Sequence, residues 1–345
     1  MMRLPTFTYL GAKTLNDAAI ALADDPDGTR IVAGGTDLWP NLKRRHQGAR
    51  AVVGLRRVPG LRGISGDPST GVTIGAMTRL TDIVRSPVLR AGYPGFVRAV
   101  ASISSPVLRN MGTIGGNLCL DTRCTYYNQN EEWRQSIGYC MKEVGDTCWV
   151  APGSSRCWAV QASDSAPALC SLDAHVVLHS AEGERVLPIA DLYNDDGIVY
   201  LTKSNTEILT EIRLGPIGTR TSTYWKLRRR GSIDFPVLGV GVALELEGNT
   251  VSSANIHLGA VHSFPVAATA AAAHLVGKPL TEALIAEAAE LAKEPAAPLD
   301  NTDFTLQWRR RMLGVYVDGA LRELAGLPAK AVPSAHGDAA LALEV

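Results

Sequence analysis

The chain has no excess of charge of either sign: Lys and Arg together number 34, and so do Asp and Glu. No global field is therefore available to recruit nucleic acid or an anionic membrane surface. The short basic clusters Lys43-Arg44-Arg45 and Arg228-Arg229-Arg230 read as solvated faces, or as contacts for phosphate or another subunit. No apolar run approaches the ~18 residues of a membrane span, and the Ala-rich stretch Val266–Ala273 is followed at once by His274 and then Lys278. The N-terminus, Met1-Met2-Arg3-Leu4-Pro5-Thr6, lacks a basic stretch leading into an apolar one, so no export signal is read there. The cytoplasm is the expected compartment, where free or metal-bound thiols are more natural than disulfides. Also missing are an HxxxH or HExxH pair, a Ser-His-Asp arrangement, a nucleophile elbow and any internal repeat, which excludes the common hydrolase and zinc-protease chemistries. His175 and His179 share a strand face without a third ligand and read as core or surface residues.

What is present is an ordinary globular composition, 46% apolar and 20% charged, in 345 residues, enough for two or three domains with real cores. Residues 14–23 predict a helix capped by Thr14, with Leu15, Ala18, Ala19 and Leu22 on one stripe. A short strand over 30–33 follows, and this first α/β unit closes near residue 56. A second unit begins with a strand at 71–74 and helices at 80–85 and 95–101. A helix resumes at 166–172, with paired strands at 174–179 and 186–187. Beyond a boundary near Gly215-Pro216-Ile217-Gly218, segments 222–228, 237–246 and 251–261 alternate as an antiparallel sheet turning at Gly248-Asn249. Helices follow over 281–293 and 305–325, and the Ala/Pro-rich tail from Pro328 is expected to fray.

Two glycine-rich motifs and four cysteines carry the chemistry. In Ile31-Val32-Ala33-Gly34-Gly35-Thr36-Asp37-Leu38 a strand runs into two glycines, which either form a tight turn or let backbone amides approach a pyrophosphate. The second motif, Thr113-Ile114-Gly115-Gly116-Asn117, preceded by Gly112, offers bare backbone with side-chain donors at its edges. Two such loops suit one extended ligand held from both sides, as a dinucleotide is. Right after the second motif, residues 121–161 break every helical or strand period, and loops of that length are uncommon unless functional or held by something else. Cys124, Cys140, Cys148 and Cys157 fall there, together with three of the six tryptophans and three of the nine tyrosines. Four thiolates are the donor set of a structural zinc or of an iron–sulfur cubane, and the spacing alone leaves both open. Cys119 and Cys170 stand outside the set and read as small core residues.

AGGTDL at 33–38, TIGGNLC at 113–119, SDSAPAL at 163–169 and Leu227-Arg228-Arg229-Arg230 together resemble the FAD-binding medium subunits of the xanthine dehydrogenase, or molybdenum hydroxylase, family. The resemblance runs in order through nearly the whole chain. It implies an α+β architecture, with a two-subdomain FAD-binding domain of the PCMH/VAO type over 1–217 (subdomains about 1–56 and 57–217). A C-terminal domain of antiparallel sheet plus helices follows over 218–327, then a flexible tail over 328–345. By the same resemblance FAD is held by residues 31–38, Thr78, residues 113–117, Asp164 at the ribose hydroxyls and Lys226 facing the flavin. Read without it, Asp164 is a helix N-cap and Lys226 a snorkelling strand lysine.

In most of that family the NLC segment leads within a few residues to the Asp-containing helix, whereas here residues 121–161 intervene. The interruption is similar to that of the 4-hydroxybenzoyl-CoA reductase β subunits, where it binds an extra [4Fe–4S] cluster. The resemblance then makes Cys124, Cys140, Cys148 and Cys157 the ligands. It implies an electron-transfer subunit with no catalytic residue of its own. Its partners are a large molybdopterin subunit, a small subunit with two [2Fe–2S] clusters and a ferredoxin-type donor. Other flavin subunits, of aldehyde, purine or CO dehydrogenases, remain alternatives, as does a zinc-binding scaffold.

Overall fold

The computed structural model describes residues 3–331; most of the tail expected over 328–345 lies outside the described residues. The first unit comprises β1 (Thr8–Gly11), α1 (Leu15–Asp24), β2 (Thr29–Val32), α2 (Leu38–Lys43) and β3 (Ala51–Gly54). Its strands form a parallel sheet in the order β1-β3-β2. Val52 and Val53 of the central strand point to opposite faces and are both buried, as a covered parallel sheet requires. The expected cap of α1 is a full capping box. Thr14 Oγ1 accepts from the Asp17 amide at 3.1 Å, and the Asp17 carboxylate accepts back from the Thr14 amide at 2.9 Å. Ala18, Ala19 and Leu22 form its buried stripe. Strand β1 escapes the sequence reading because all four of its residues are exposed, so no alternation marks it.

The second unit holds β4 (Ile64–Asp67), β5 (Gly71–Gly75), α3 (Leu80–Arg85), α4 (Pro87–Gly92), α5 (Pro94–Ala101), α6 (Pro106–Arg109), α7 (Ile114–Leu118), α8 (Glu131–Ser136), α9 (Ser165–Ser171), β6 (His175–Ser180), β7 (Gly183–Pro188) and β8 (Ile208–Leu214). Its antiparallel sheet runs β4-β5-β8-β6-β7. The middle strand β8 had not been expected. Helix α9 is buried along its whole length and sits between this sheet and the next.

The third unit is the antiparallel sheet β12-β11-β10-β9, made of β9 (Thr221–Leu227), β10 (Leu238–Glu247), β11 (Thr250–Gly259) and β12 (Val266–Ala267). Helices α10 (Thr269–Leu275), α11 (Glu282–Leu291) and α12 (Leu306–Leu324) pack on it. Gly248, with φ of +63°, takes the hairpin turn between Glu247 and Thr250. Two strand glycines let α9 lie against this sheet. A Cβ on Gly241 would stand 2.5 Å from the Pro167 carbonyl oxygen, and one on Gly259 would stand 2.9 Å from the Pro167 ring. The second and third units are thereby locked through the helix that begins at Asp164. No helix among the described residues is long and apolar enough to cross a membrane.

Residues 121–161 hold only α8 and otherwise run as turns. Their neck is closed by reciprocal backbone hydrogen bonds between Arg123 and Val160, at 2.8 and 2.7 Å. Three neighbours clamp the insertion. Beyond α2, the His46 carbonyl accepts from the Tyr127 hydroxyl, and the Arg44 carbonyl accepts from Arg134 Nη2 at 2.8 Å. From the third unit, the Asn301 carbonyl accepts the Thr125 amide at 2.8 Å, and Asn301 Nδ2 donates to the Trp158 carbonyl at 2.6 Å. In the second unit, the Cys157 carbonyl accepts the Gly197 amide at 2.9 Å.

Candidate functional site

Strand β2 delivers the chain into the first glycine loop, and the structure brings that loop against the second one. A Cβ on Gly34 would lie 2.0 Å from the Met111 carbonyl oxygen, and one on Gly116 would lie 4.0 Å from the Ala33 Cβ. Gly35 has φ of +74° and its Cβ would meet the Trp39 indole nitrogen at 2.2 Å, so both glycines are required sterically. Among the described residues, the amides of Gly34, Gly35, Thr36 and Asp37 donate to no protein acceptor. Four adjacent free N–H groups beside a bare backbone are suited to phosphate oxygens. Because the atom facing Gly34 is backbone and cannot swing aside, Gly34→Ala should push the two loops apart. The expected result is about a tenfold or greater loss of FAD affinity, about 1.4 kcal/mol, measured as flavin retained after desalting against flavin concentration.

In the second loop, where residues 114–118 are helix α7, the backbone amides are already engaged within the protein. Ile114 donates to the Thr78 carbonyl at 3.0 Å, Gly115 to Ala76 at 2.9 Å, Gly116 to Thr113 Oγ1 at 3.2 Å and Asn117 to the Thr113 carbonyl at 3.0 Å. Gly115 is needed for close packing, since its Cβ would lie 2.8 Å from that of Ala76. Asn117 Oδ1 accepts from the hydroxyls of Ser163 and Ser165, at 2.7 and 2.5 Å, which joins the loop to the start of α9. Thr78 is likewise occupied: its hydroxyl accepts from the Gly63 amide at 2.9 Å and donates to the Gly63 carbonyl at 3.0 Å.

Asp164 and Lys226 are found together, buried, in an ion pair of 2.8 Å. Asp164 Oδ1 also accepts the Tyr224 hydroxyl at 2.8 Å. Lys226 Nζ further donates to the carbonyls of Ser102 and Asp234 at 3.0 and 2.9 Å, so its three N–H donors are all used. Burial pushes the Lys226 ammonium below its ordinary range against the opposing pull of Asp164. The N-cap reading of Asp164 fails, since its side chain makes no capping bond; Ser163 Oγ instead accepts the Ala166 amide at 3.2 Å. Nearby, Gln161 Nε2 is buried without a protein partner while its Oε1 accepts the Ser163 amide at 2.6 Å. An orphaned donor two residues from the Asn117–Ser163 contact is what a bound polar ligand would satisfy. Sequence reasoning missed Gln161, because an isolated glutamine carries no spacing signal.

The four cysteines of the insertion are all free and each is less than a tenth exposed. Cys124, Cys140 and Cys157 belong to one apolar cluster with Tyr127 and Ala159, so sulfur makes up most of the insertion's own core. One of the thiols receives an amide from the residue two positions on: Ala159 donates to Cys157 Sγ at 3.4 Å. Burial raises the Cys124 thiol to about 12 and the Cys157 thiol to about 11, and raises Cys140 as well. Amide donors aimed at sulfur oppose that shift and stabilise thiolate. Among the described residues no three His, Cys, Asp or Glu side chains converge as they would around a single metal ion. A four-iron cage spreads its cysteines more widely than one ion does. Cys170 lies in the second unit's core, and Cys119 caps the end of α7.

The insertion also touches the first glycine loop directly. Arg123 Nη2 pairs with Asp37 Oδ1, its guanidinium lies 4.4 Å from the Phe235 ring centroid, and Asp37 Oδ2 accepts Asn41 Nδ2 at 3.0 Å. Burial, followed by the opposing influence of Arg123, leaves the Asp37 carboxyl above its ordinary range.

Known proteins share the two domains of this chain. The FAD binding domain in molybdopterin dehydrogenase matches residues 5–216, and the CO dehydrogenase flavoprotein C-terminal domain matches residues 222–324. The carbon monoxide dehydrogenase medium chain of Hydrogenophaga pseudoflava is 28% identical over 92% of this chain and 96% of its own length. The aldehyde oxidoreductase FAD-binding subunit of Escherichia coli is 30% identical over 79% of this chain and 86% of its own. The structure of CO dehydrogenase from Oligotropha carboxidovorans superposes with a TM-score of 0.77 at 27% identity, covering 94% of this chain and all of that one. The free amides of the first loop, the glycines that no side chain could replace and the orphaned Gln161 donor fit the FAD this domain implies. This oxidoreductase chain belongs to the FAD-binding medium subunits of the molybdenum hydroxylase family.

Proposed function

We propose that this chain carries both FAD and a [4Fe–4S] cluster and serves as the electron-transfer subunit of an enzyme of the 4-hydroxybenzoyl-CoA reductase type. The reading rests on one observation: four buried, unpaired cysteines in an insertion, one of them with an amide directed at sulfur, pinned by Arg123 to the flavin loop at Asp37. Cys124, Cys140, Cys148 and Cys157 would hold the cluster. Residues 34–37, Asn117 and Gln161 would hold FAD, with Asp164, Lys226 and Thr78 framing its pocket. When bound, the two groups supply one-electron exchange on one side and one- or two-electron exchange on the other.

The chain's residues keep the groups dry and close together. Organic substrate binds elsewhere, in a large molybdopterin subunit, and a small subunit with two [2Fe–2S] clusters relays electrons. Relatives named as medium chains support that assembly. A ferredoxin-type donor in the cytoplasm would feed the cluster, and the net reaction removes the phenolic hydroxyl of 4-hydroxybenzoyl-CoA to give benzoyl-CoA. Anaerobic purification followed by metal, sulfide and flavin analysis tests the reading. The expected content is about four iron, about four sulfide and about one FAD per chain. Zinc in place of iron would make the insertion a structural staple. FAD with no metal would return the chain to the aldehyde, purine or CO dehydrogenase flavin subunits.

A further inference from the structure

We infer that Lys142 sets the reduction potential of the four-cysteine centre by fixing a positive charge against the sulfur quartet inside the insertion. The inference rests on the cluster reading above and adds a residue that no motif marks. Lys142 lies two positions after Cys140 in the chain. Its side chain turns inward and is about as buried as that of its partner Asp121. Nζ donates to Asp121 Oδ1 at 2.8 Å and to the Gly197 carbonyl at 2.6 Å, and lies 5.0 and 5.4 Å from the Tyr127 and Tyr200 ring centroids. Gly197 in turn abuts the quartet, since a Cβ there would stand 2.6 Å from Cys157 Sγ. Tyr127 belongs to the cysteine cluster itself. The ammonium thus lies against Gly197 and Tyr127, both of which meet the cysteine cluster.

A lysine buried only for packing would be better replaced by an apolar residue, because taking a charge out of water is expensive. Its siting beside four thiolates has an electrostatic consequence. One-electron reduction by an external one-electron carrier adds one negative charge to the centre and transfers no atoms. A nearby cation in a medium of low dielectric stabilises the reduced form relative to the oxidised one. Asp121 acts in the opposite sense, with Gln47 Nε2 donating to its second oxygen at 3.0 Å. The pair therefore offers two substitutions of opposite sign at one place.

The experiment is a mediator-poised redox titration of the full-length chain, purified anaerobically and followed by the paramagnetic signal of the reduced cluster, with iron counted in every sample. Lys142→Gln should lower the ratio of reduced to oxidised cluster about tenfold at the native midpoint, about 59 mV for a one-electron couple. Lys142→Arg should restore most of it, and Asp121→Asn should move the midpoint upward. If iron is retained and K142Q titrates as the native chain does, or if K142Q and D121N shift the same way, the assignment to Lys142 fails while the cluster reading stands. If the native chain holds no iron, both fall. Should K142Q lose its iron, D121N decides alone: an upward shift supports the inference, and a null or downward shift ends it.

Discussion

Cys140→Ser should yield a chain that keeps its flavin and loses its iron. A serine oxygen is a harder and less readily ionised donor than the thiolate it replaces, so one corner of the cage is left weakly held. The insertion has no large apolar core to compensate, because its buried cluster is mostly sulfur. Iron should fall from about four per chain to near zero, with the broad visible absorption lost. FAD should stay at its native stoichiometry, since besides the Arg123–Asp37 contact from the insertion the first glycine loop packs on the Met111 backbone and on Trp39, neither of them in the insertion. Cys170→Ala is the control. That thiol is buried in the second unit's core, well away from the set, and its loss should lower stability without touching iron. Unchanged iron and unchanged turnover with the donor in C140S would remove Cys140 from the ligands.

The same insertion shows where sequence reading was sufficient and where it was not. Helix α1 was evident because Thr14 and the Ala18-Ala19-Leu22 stripe are local signals that the structure uses as written. The hairpin at Gly248 and the helices over 281–293 and 305–325 were evident for the same reason. Strands β1 and β4 were not, since both are short and mostly exposed, and pairing rather than alternation defines them. The glycine run at 112–117 gave its place but not its use. Whether an amide faces a ligand or the Thr78 and Ala76 carbonyls depends on β5 and the turn after it, about 40 residues earlier in the chain. The polar partners of the insertion were hidden too. Arg123 with Asp37, Lys142 with Asp121, and Asn301 with Thr125 and Trp158 are each separated by tens of residues or more, and single charged residues have no period to betray them. The cysteines were visible because four rare residues in one aperiodic stretch need no partner elsewhere to be noticed.

Lys226→Met is expected to cost on the order of 3–5 kcal/mol of folding stability, because it leaves the Asp164 carboxylate buried with only the Tyr224 hydroxyl. Two carbonyls, of Ser102 and Asp234, lose their donor at the same stroke. Asp164→Asn should be destabilising in the same manner, stranding the ammonium instead. The double variant should recover part of the loss, so the two single effects should sum to more than the double. Chemical denaturation, read as the midpoint at constant slope, checks this; simple additivity would mean that the two groups do not act as a pair. Flavin binding separates framing from contact. If the pair only braces α9 against β9, FAD retention should follow stability and return with it in the double variant. If Asp164 also serves the ribose hydroxyls, as its place in the SDSAPAL segment implies, the double variant should regain stability and still release FAD.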